Sequence, residues 1–156
     1  MRVLVAVVGK VKGPLTAVVA DYEARAGRYW KLSIEEVAAG ARGGAKDGQS
    51  VKAAEAERLL SRVPPELELV ALTRGGKPMG SRAFSRYLEE HAIRASAGVA
   101  LVIGGAFGLD DSVLARAQKR LSLSSMTFPH ELARLALAEQ LYRAGTILRG
   151  EPYHKG

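Results

Sequence analysis

Apolar residues along this chain fall into short continuous runs separated by longer stretches with helical spacing. Residues 1–8, MRVLVAVV, are almost wholly apolar, the pattern of a parallel strand buried on both faces. Pro14 opens a stretch through Trp30 in which Leu15, Val18, Val19, Tyr22 and Ala26 recur at helical spacing. Leu32–Val37 reads as a second strand. Ser50 is placed to cap a helix running to about Arg62 and stopped by Pro64-Pro65. Glu66–Leu72 predicts a third strand, followed by the turn-rich Thr73–Gly80. Ser81 is a candidate cap for a helix whose apolar face is Phe84, Tyr87, Leu88 and Ile93. Val99–Ile103 predicts a fourth strand that runs straight into Gly104-Gly105. A helix from Asp111 to Arg120 follows, with acids at its positive end. Leu121–Thr127 reads as a short fifth strand, and Pro129 as the first residue of a helix ended by Gly145.

Strands alternating with helices imply an α/β fold: a mostly parallel sheet with helices on both faces. No linker divides the chain, so a single domain over 1–156 is expected. On the last helix Leu132, Leu135, Leu137 and Leu141 span more than one stripe. Such a helix is covered on more than one side, either by a second subunit or deep within one monomer. The chain has no cysteine, which excludes disulfides, thiolate catalysis and Cys-based metal sites. No run approaches the length of a membrane span, and MRVLVAVVGK is interrupted too soon for a signal peptide, so a cytoplasmic location is expected. The net charge is +7, and 15 of the 23 cations are arginine, whose fork suits phosphate. That balance points to a polyanionic partner, nucleic acid first, or to a plain solvated basic surface.

Two strand-to-loop junctions concentrate the chemistry. Ligands of parallel sheets bind beyond the carboxyl ends of strands, and VALVIGGAFGL over 99–109 places glycines there. Its G-G-x-x-G spacing is not a dinucleotide fingerprint, and Gly75-Gly76-Lys77-Pro78 lacks the parts of a Walker A loop. The glycines serve either ligand approach or a tight turn. The second junction, LSSMTFPH over 123–130, combines hydroxyls, Met126 and Phe128 before a proline-led helix. It can hold a polar ligand with an apolar wall, or be a simple turn with core side chains. His91, His130 and His154 have no metal-ligand spacing, and no metal is expected. His91 reads as a surface residue, while His130 is a candidate proton acceptor beside the second junction. The tail Tyr153-His154-Lys155 offers an aromatic face, an imidazole and a cation.

Taken together, Gly104-Gly105-x-x-Gly108, Leu121-Ser122-Leu123-Ser124-x-Met126-Thr127-Phe128-x-His130, Glu139-Gln140-x-Tyr142-Arg143-Ala144 and Pro152-Tyr153-His154-Lys155 resemble the RlmH family. These are bacterial methyltransferases that modify a pseudouridine of the large ribosomal RNA. The resemblance covers essentially the whole chain, with Ala106-Phe107 where many members carry Pro-Glu. It implies a SPOUT-type fold with a C-terminal trefoil knot, a homodimer, and S-adenosylmethionine as methyl donor. Carried over, the cofactor contacts are Leu72, Gly104, Leu123, Ser124, Ser125, Met126, Thr127 and Phe128. The implied product is N3-methylated pseudouridine in helix 69 of 23S rRNA, in an assembled ribosome or large subunit. His130 is then the first candidate base, with Glu139 and Tyr142 behind it. Arg143 is placed to stabilise charge on the ring carbonyls, Tyr153 to stack on the base, and His154 and Lys155 to meet phosphate or proton. The tail of one subunit is expected to complete the other's site. The competing readings are a non-catalytic ribosome- or RNA-binding domain and an enzyme of the same fold acting on transfer RNA.

Overall fold

A strand apolar on both faces needs cover on both, and this chain supplies it from alternate crossovers. The computed structural model describes residues 1–155; residue 156, the last of the predicted domain span, lies outside the described residues. Strands β1 (Arg2–Val8), β2 (Lys31–Val37), β3 (Glu68–Pro78), β4 (Gly98–Ile103) and β5 (Lys119–Ser122) form one sheet in the order β2-β1-β4-β3-β5. Every pairing in it is parallel. Helices α1 (Thr16–Ala26), α2 (Gly48–Ser61), α3 (Ser81–Ile93), α4 (Asp111–Arg116) and α5 (His130–Leu148) cover it. Val3, Val5, Val7, Val99 and Leu101 pack against Ala26, Phe84, Leu88, Leu137 and Leu141 of α1, α3 and α5. Leu4, Ala6, Val8, Ala100 and Val102 pack instead against Ala56 and Leu59 of α2 and Val113 of α4. Each crossover reverses both its direction along the sheet and the face it uses. All of them therefore share one hand, as strand twist demands.

Several boundaries differ from the sequence pattern, each because of a tertiary contact. The helix expected from Pro14 to Trp30 is shorter, a 3₁₀ turn at Gly13–Leu15 preceding α1 and Gly27 closing it. Trp30 leaves the helix to donate its indole N–H to Leu141 O at 2.8 Å. Asp47, not Ser50, caps α2 by accepting from Ser50 N at 2.9 Å. The turn-rich 73–80 stretch is a bulge inside a strand: Leu72 and Lys77 both pair with Leu121, and β3 resumes to Pro78. Gly76 permits this, since a Cβ there would lie 2.8 Å from the backbone of Arg120. Gly80 occupies the cap position of α3, and Ser81 Oγ donates to Gln140 Oε1 at 2.6 Å instead. Helix α4 ends at Arg116, and β5 spans Lys119–Ser122 rather than Leu121–Thr127.

His91 is buried, not a surface residue, and Ile93 is 75% exposed rather than part of the apolar face. Helical period explains both, because 84, 88 and 91 share one side of α3 while 93 falls off it. The His91 ring bridges Ser96 Oγ at 2.8 Å and Glu68 Oε2 at 2.9 Å. Pro129 stands at the cap position of α5, and the helix runs through Gly145 to Leu148. Glycine stands at 145 because the ring of Tyr29 occupies the space a Cβ would take.

Helix α5 sits between α1 and α3 and is locked there by charge. Arg134, 8% exposed, donates Nε and Nη2 to Glu23 of α1 at 2.8 and 3.0 Å, and Nη1 to Glu36 of β2 at 2.5 Å. Removing the guanidinium leaves Glu23 charged in a mostly covered position, while Glu36 keeps contact with solvent. Arg134→Met is therefore expected to cost about 1.5–3 kcal/mol of unfolding free energy in urea, the range for hydrogen bonds to charged groups. Neutralising both acids in the same background, with Glu23→Gln and Glu36→Gln, should recover part of it. A loss below about 1 kcal/mol would mean the guanidinium is not what holds α5.

Candidate active site

All five strands run the same way, so their carboxyl ends gather on one edge of the sheet. A cavity of about 440 Å³ opens at that edge, lined by the end of β3, the loop after β4 and the loop between β5 and α5. Leu72, Gly104, Leu123, Ser124, Met126, Thr127, Phe128 and His130 all line it. Ser125 belongs to the same loop but is exposed and absent from the lining. Ile103, Gly105 and Phe107 of the 99–109 junction line it too, as do Thr73, Arg74 and Ala133, to which no motif pointed. The rule that parallel strands bind at their carboxyl ends was the signal for Thr73 and Arg74, just past Leu72.

Backbone and hydroxyl bonds shape these walls. Ser122 Oγ lies 3.1 Å from Arg74 O and 2.9 Å from Ser124 O, and Ser124 Oγ accepts from Met126 N at 3.0 Å. Arg74 Nη1 donates to Thr127 Oγ1 at 3.0 Å, tying the β3 bulge to the β5–α5 loop. Gly104 turns its absent side chain toward its own loop. A Cβ there would meet the Gly108 backbone at 2.8 Å, so a larger residue distorts the loop before it blocks a ligand. Behind Gly105 stands Glu55, 3% exposed, with Oε2 accepting from Gly40 N at 2.9 Å. Its Oε1 has no hydrogen-bond partner among the described residues and would lie 3.0 Å from a Cβ at Gly105.

His130 opens α5 at the cavity wall, and its Nε2 lies 3.3 Å from Lys10 O. A carbonyl only accepts, so Nε2 carries the hydrogen in this bond, and in the neutral ring Nδ1 is then the nitrogen with the lone pair. The ring packs over Gly9, whose φ of +90° few side chains tolerate.

The remaining candidates form a separate cluster, on α1, α5 and the tail. Tyr142 is ringed by Tyr22, Tyr29 and Tyr153, with centroids 6.2, 5.9 and 4.5 Å away. Glu139 Oε2 accepts from Arg143 Nη2 and Tyr153 Oη, both at 2.8 Å, and Oε1 accepts from Gln140 Nε2 at 2.7 Å. Burial, with hydrogen bonds to Tyr22 and Glu139, pushes the Tyr153 phenol well above the usual tyrosine range. His154 is half-buried, its Nδ1 without a hydrogen-bond partner among the described residues. Glu139 also lines a groove of about 430 Å³ with Tyr22, Leu132, Leu135 and Phe128. Phe128 thus belongs to both the cavity and the groove. Within one chain the tail rests on its own α1 and α5, and Tyr142, Arg143, Tyr153 and His154 do not line the cavity.

The family model described as "Predicted SPOUT methyltransferase" matches residues 1–154. The chain belongs to that SPOUT methyltransferase family. Its relatives include the ribosomal RNA large subunit methyltransferase H of Gemmatimonas aurantiaca, 47% identical and covering 99% of this chain and 100% of that one. The protein of the same name from Bacillus pumilus is 41% identical with the same coverage. A probable methylase family protein from Haemophilus influenzae has a similar fold, with a TM-score of 0.51 at 13% identity, covering 99% of this chain and 70% of that one. Among the described residues of this SPOUT chain no helix is long and apolar enough to cross a membrane, and no cluster is suited to a metal ion.

In this SPOUT chain the approach of Gly9 to His130 is testable. Gly9→Ala puts a methyl 2.8 Å from His130 Nε2 at a positive φ, a backbone strain of about 1–2 kcal/mol. The ring should leave Lys10 O, seen as a change in the nitrogen NMR signals of His130. Unchanged signals would show that the imidazole does not depend on this contact.

Proposed function

We propose that this chain methylates N3 of a pseudouridine in helix 69 of 23S rRNA, using S-adenosylmethionine, as a homodimer in the cytoplasm. What carries the reading is the cavity at the strand ends, bounded by Leu72, Gly104 and residues 123–128, with His130 on its wall. Glycine backbone on one side, hydroxyls of Ser124 and Thr127, and apolar Leu72, Met126 and Phe128 fit a nucleoside-bearing sulfonium donor. Bound there, S-adenosylmethionine supplies an electrophilic methyl group.

The chain's residues supply position and a proton acceptor. N3 of a neutral pseudouridine carries a proton, and His130 Nδ1 has the lone pair to receive it. Lys10 O keeps the ring in that tautomer. Glu139 is a poorer base, since both of its oxygens already accept hydrogen bonds. Tyr142 and Arg143 lie apart from the cavity in their own chain, so their contribution requires a second copy. The apolar groove that shares Phe128 with the cavity supports a subunit contact there, with exposed Leu132 as its centre. The tail then meets the partner's RNA substrate. The same reading gives the C-terminal half a trefoil knot. It also treats the chain as one domain acting on the assembled large subunit.

The decisive experiment is methyl transfer by the purified protein to large subunits from cells lacking it, mapped by mass spectrometry. The expected product is one added methyl on a helix 69 pseudouridine. His130→Ala should lower kcat by about 10²–10⁴-fold while calorimetry shows cofactor binding retained. Methylation elsewhere, or an undiminished kcat, would overturn the substrate or the base respectively.

A further inference from the structure

Phe107 is an aromatic side chain that neither the core nor the proposed chemistry uses. It sits in the Gly104–Gly108 loop, lines the cavity and is 52% exposed. Exposing half a phenylalanine forgoes hydrophobic stabilisation that an inward rotamer or a polar residue would not sacrifice. The ring is nevertheless held. Its Cδ1, Cγ and Cε1 lie 3.0–3.5 Å from where a Cβ would stand on Gly48, so it rests against bare backbone at the start of α2. A ring seated in this way has little freedom left to lose when a planar ligand arrives.

The surroundings select the ligand. Arg42 and Lys46, both exposed, lie in the glycine-rich stretch that leads into Gly48. Lys10 and Lys12 are exposed on the segment after β1, where Lys10 O bonds His130 of the cavity wall. Glu131 of α5 accepts from Lys12 N at 2.9 Å, and two aspartates serve as helix caps. Asp47 caps α2 through Ser50 N, and Asp110 caps α4 through Ser112 while receiving Gln49. An exposed ring on a cavity wall, with arginine and lysine on the segments beside it, suits single-stranded nucleic acid, with stacking for a base and charge for the backbone. A base presented for modification must leave its stack, and its neighbour then needs a new face to lie on.

We propose that Phe107 stacks on an unpaired RNA base adjacent to the one being modified, while Arg42 and Lys46 take the flanking phosphates. The proposal rests on the RNA methyltransferase reading above and adds to it a residue that sets substrate affinity. Stacking is sequence-tolerant, so this contact fixes how the RNA lies rather than which base is chosen.

Two readouts test it and separate its failure from that of the underlying reading. The first is steady-state methyl transfer to unmethylated large subunits. Phe107→Ala should raise KM for the subunits by about 5- to 100-fold, well beyond any change in cofactor affinity that calorimetry finds for the same variant. Phe107→Trp should restore KM, and Phe107→Leu, apolar but without a π face, should not. The second needs no catalysis. The chain's single tryptophan, Trp30, is buried, so in Phe107→Trp the added indole reports on its own surroundings. An unstructured oligouridylate should quench that fluorescence, less steeply at high salt, and leave the unsubstituted protein's signal unchanged. An unchanged KM in Phe107→Ala, or rescue by leucine, overturns the stacking role. Absence of quenching does the same. A changed oligomeric mass in Phe107→Ala would reassign the ring to a subunit contact. If the unsubstituted protein methylates no RNA, the earlier reading falls and quenching alone decides for the ring.

Discussion

The contact between Arg134 and its two glutamates decides where the working surface of this molecule lies. Helix α5 touches the sheet through Leu137 and Leu141, and apolar contacts alone tolerate some rotation about the helix axis. A guanidinium forked onto Glu23 and reaching Glu36 tolerates little, because its planar donors match carboxylates in one orientation. Burying the Arg134 charge is unfavourable unless it is met, so other rotations of α5 are penalised. Everything α5 presents follows from that lock. His130 lies one turn before Arg134, on the same side and toward the end of β1. Glu139, Tyr142 and Arg143 fall toward α1 and the tail.

Backbone proximity is the second constraint, acting where no side chain fits. Gly98, at φ +135°, brings the start of β4 against Arg2 O, and Gly145 accepts the ring of Tyr29. Gly104 folds its loop back onto Gly108, and those two ends shape one wall of the cavity. These glycines are unequal. Gly98 and Gly145 set how the layers fit, whereas Gly104 sets the form of a loop that lines the cavity.

Much of the fold was legible because buried parallel strands read as continuous apolar runs, as residues 3–8 and 99–103 do. The cavity walls were legible for the related reason that glycines and hydroxyls clustered just past those runs. What stayed hidden depends on contacts between distant segments. Nothing local extends β3 beyond Leu72; its continuation exists because β5 lies alongside. Gly145 reads as a helix stop until Tyr29 is placed against it. Glu23 and Glu36 look like ordinary surface acids, and only the fold reveals that Arg134 needs both. Among the site residues, the motifs drew Glu139, Tyr142 and Tyr153 together. They gave no sign that Tyr22 and Tyr29 complete the cluster.

The two groups of candidate residues differ in what they can do with a proton, and that difference assigns the work. In the tail cluster Tyr153 stays a neutral phenol well beyond the usual tyrosine range, giving its hydrogen to Glu139. Glu139 in turn is occupied by Arg143 and Gln140, so the acceptor left among the tail residues is His154 Nδ1, which is buried and lies off the cavity. It offers aromatic faces, hydrogen-bond donors and a cation: means to position a base and to stabilise charge on its carbonyls. His130 has the opposite character, with one nitrogen committed as donor to Lys10 O and the other left with a lone pair. In the proposed reaction the N3 proton goes to His130, the imidazole on the cavity wall, and the tail cluster holds the ring. In a single chain those functions stand on different surfaces, joined only through the shared wall at Phe128. A second copy, seated across that shared wall, is what would bring one chain's donors to the other chain's base.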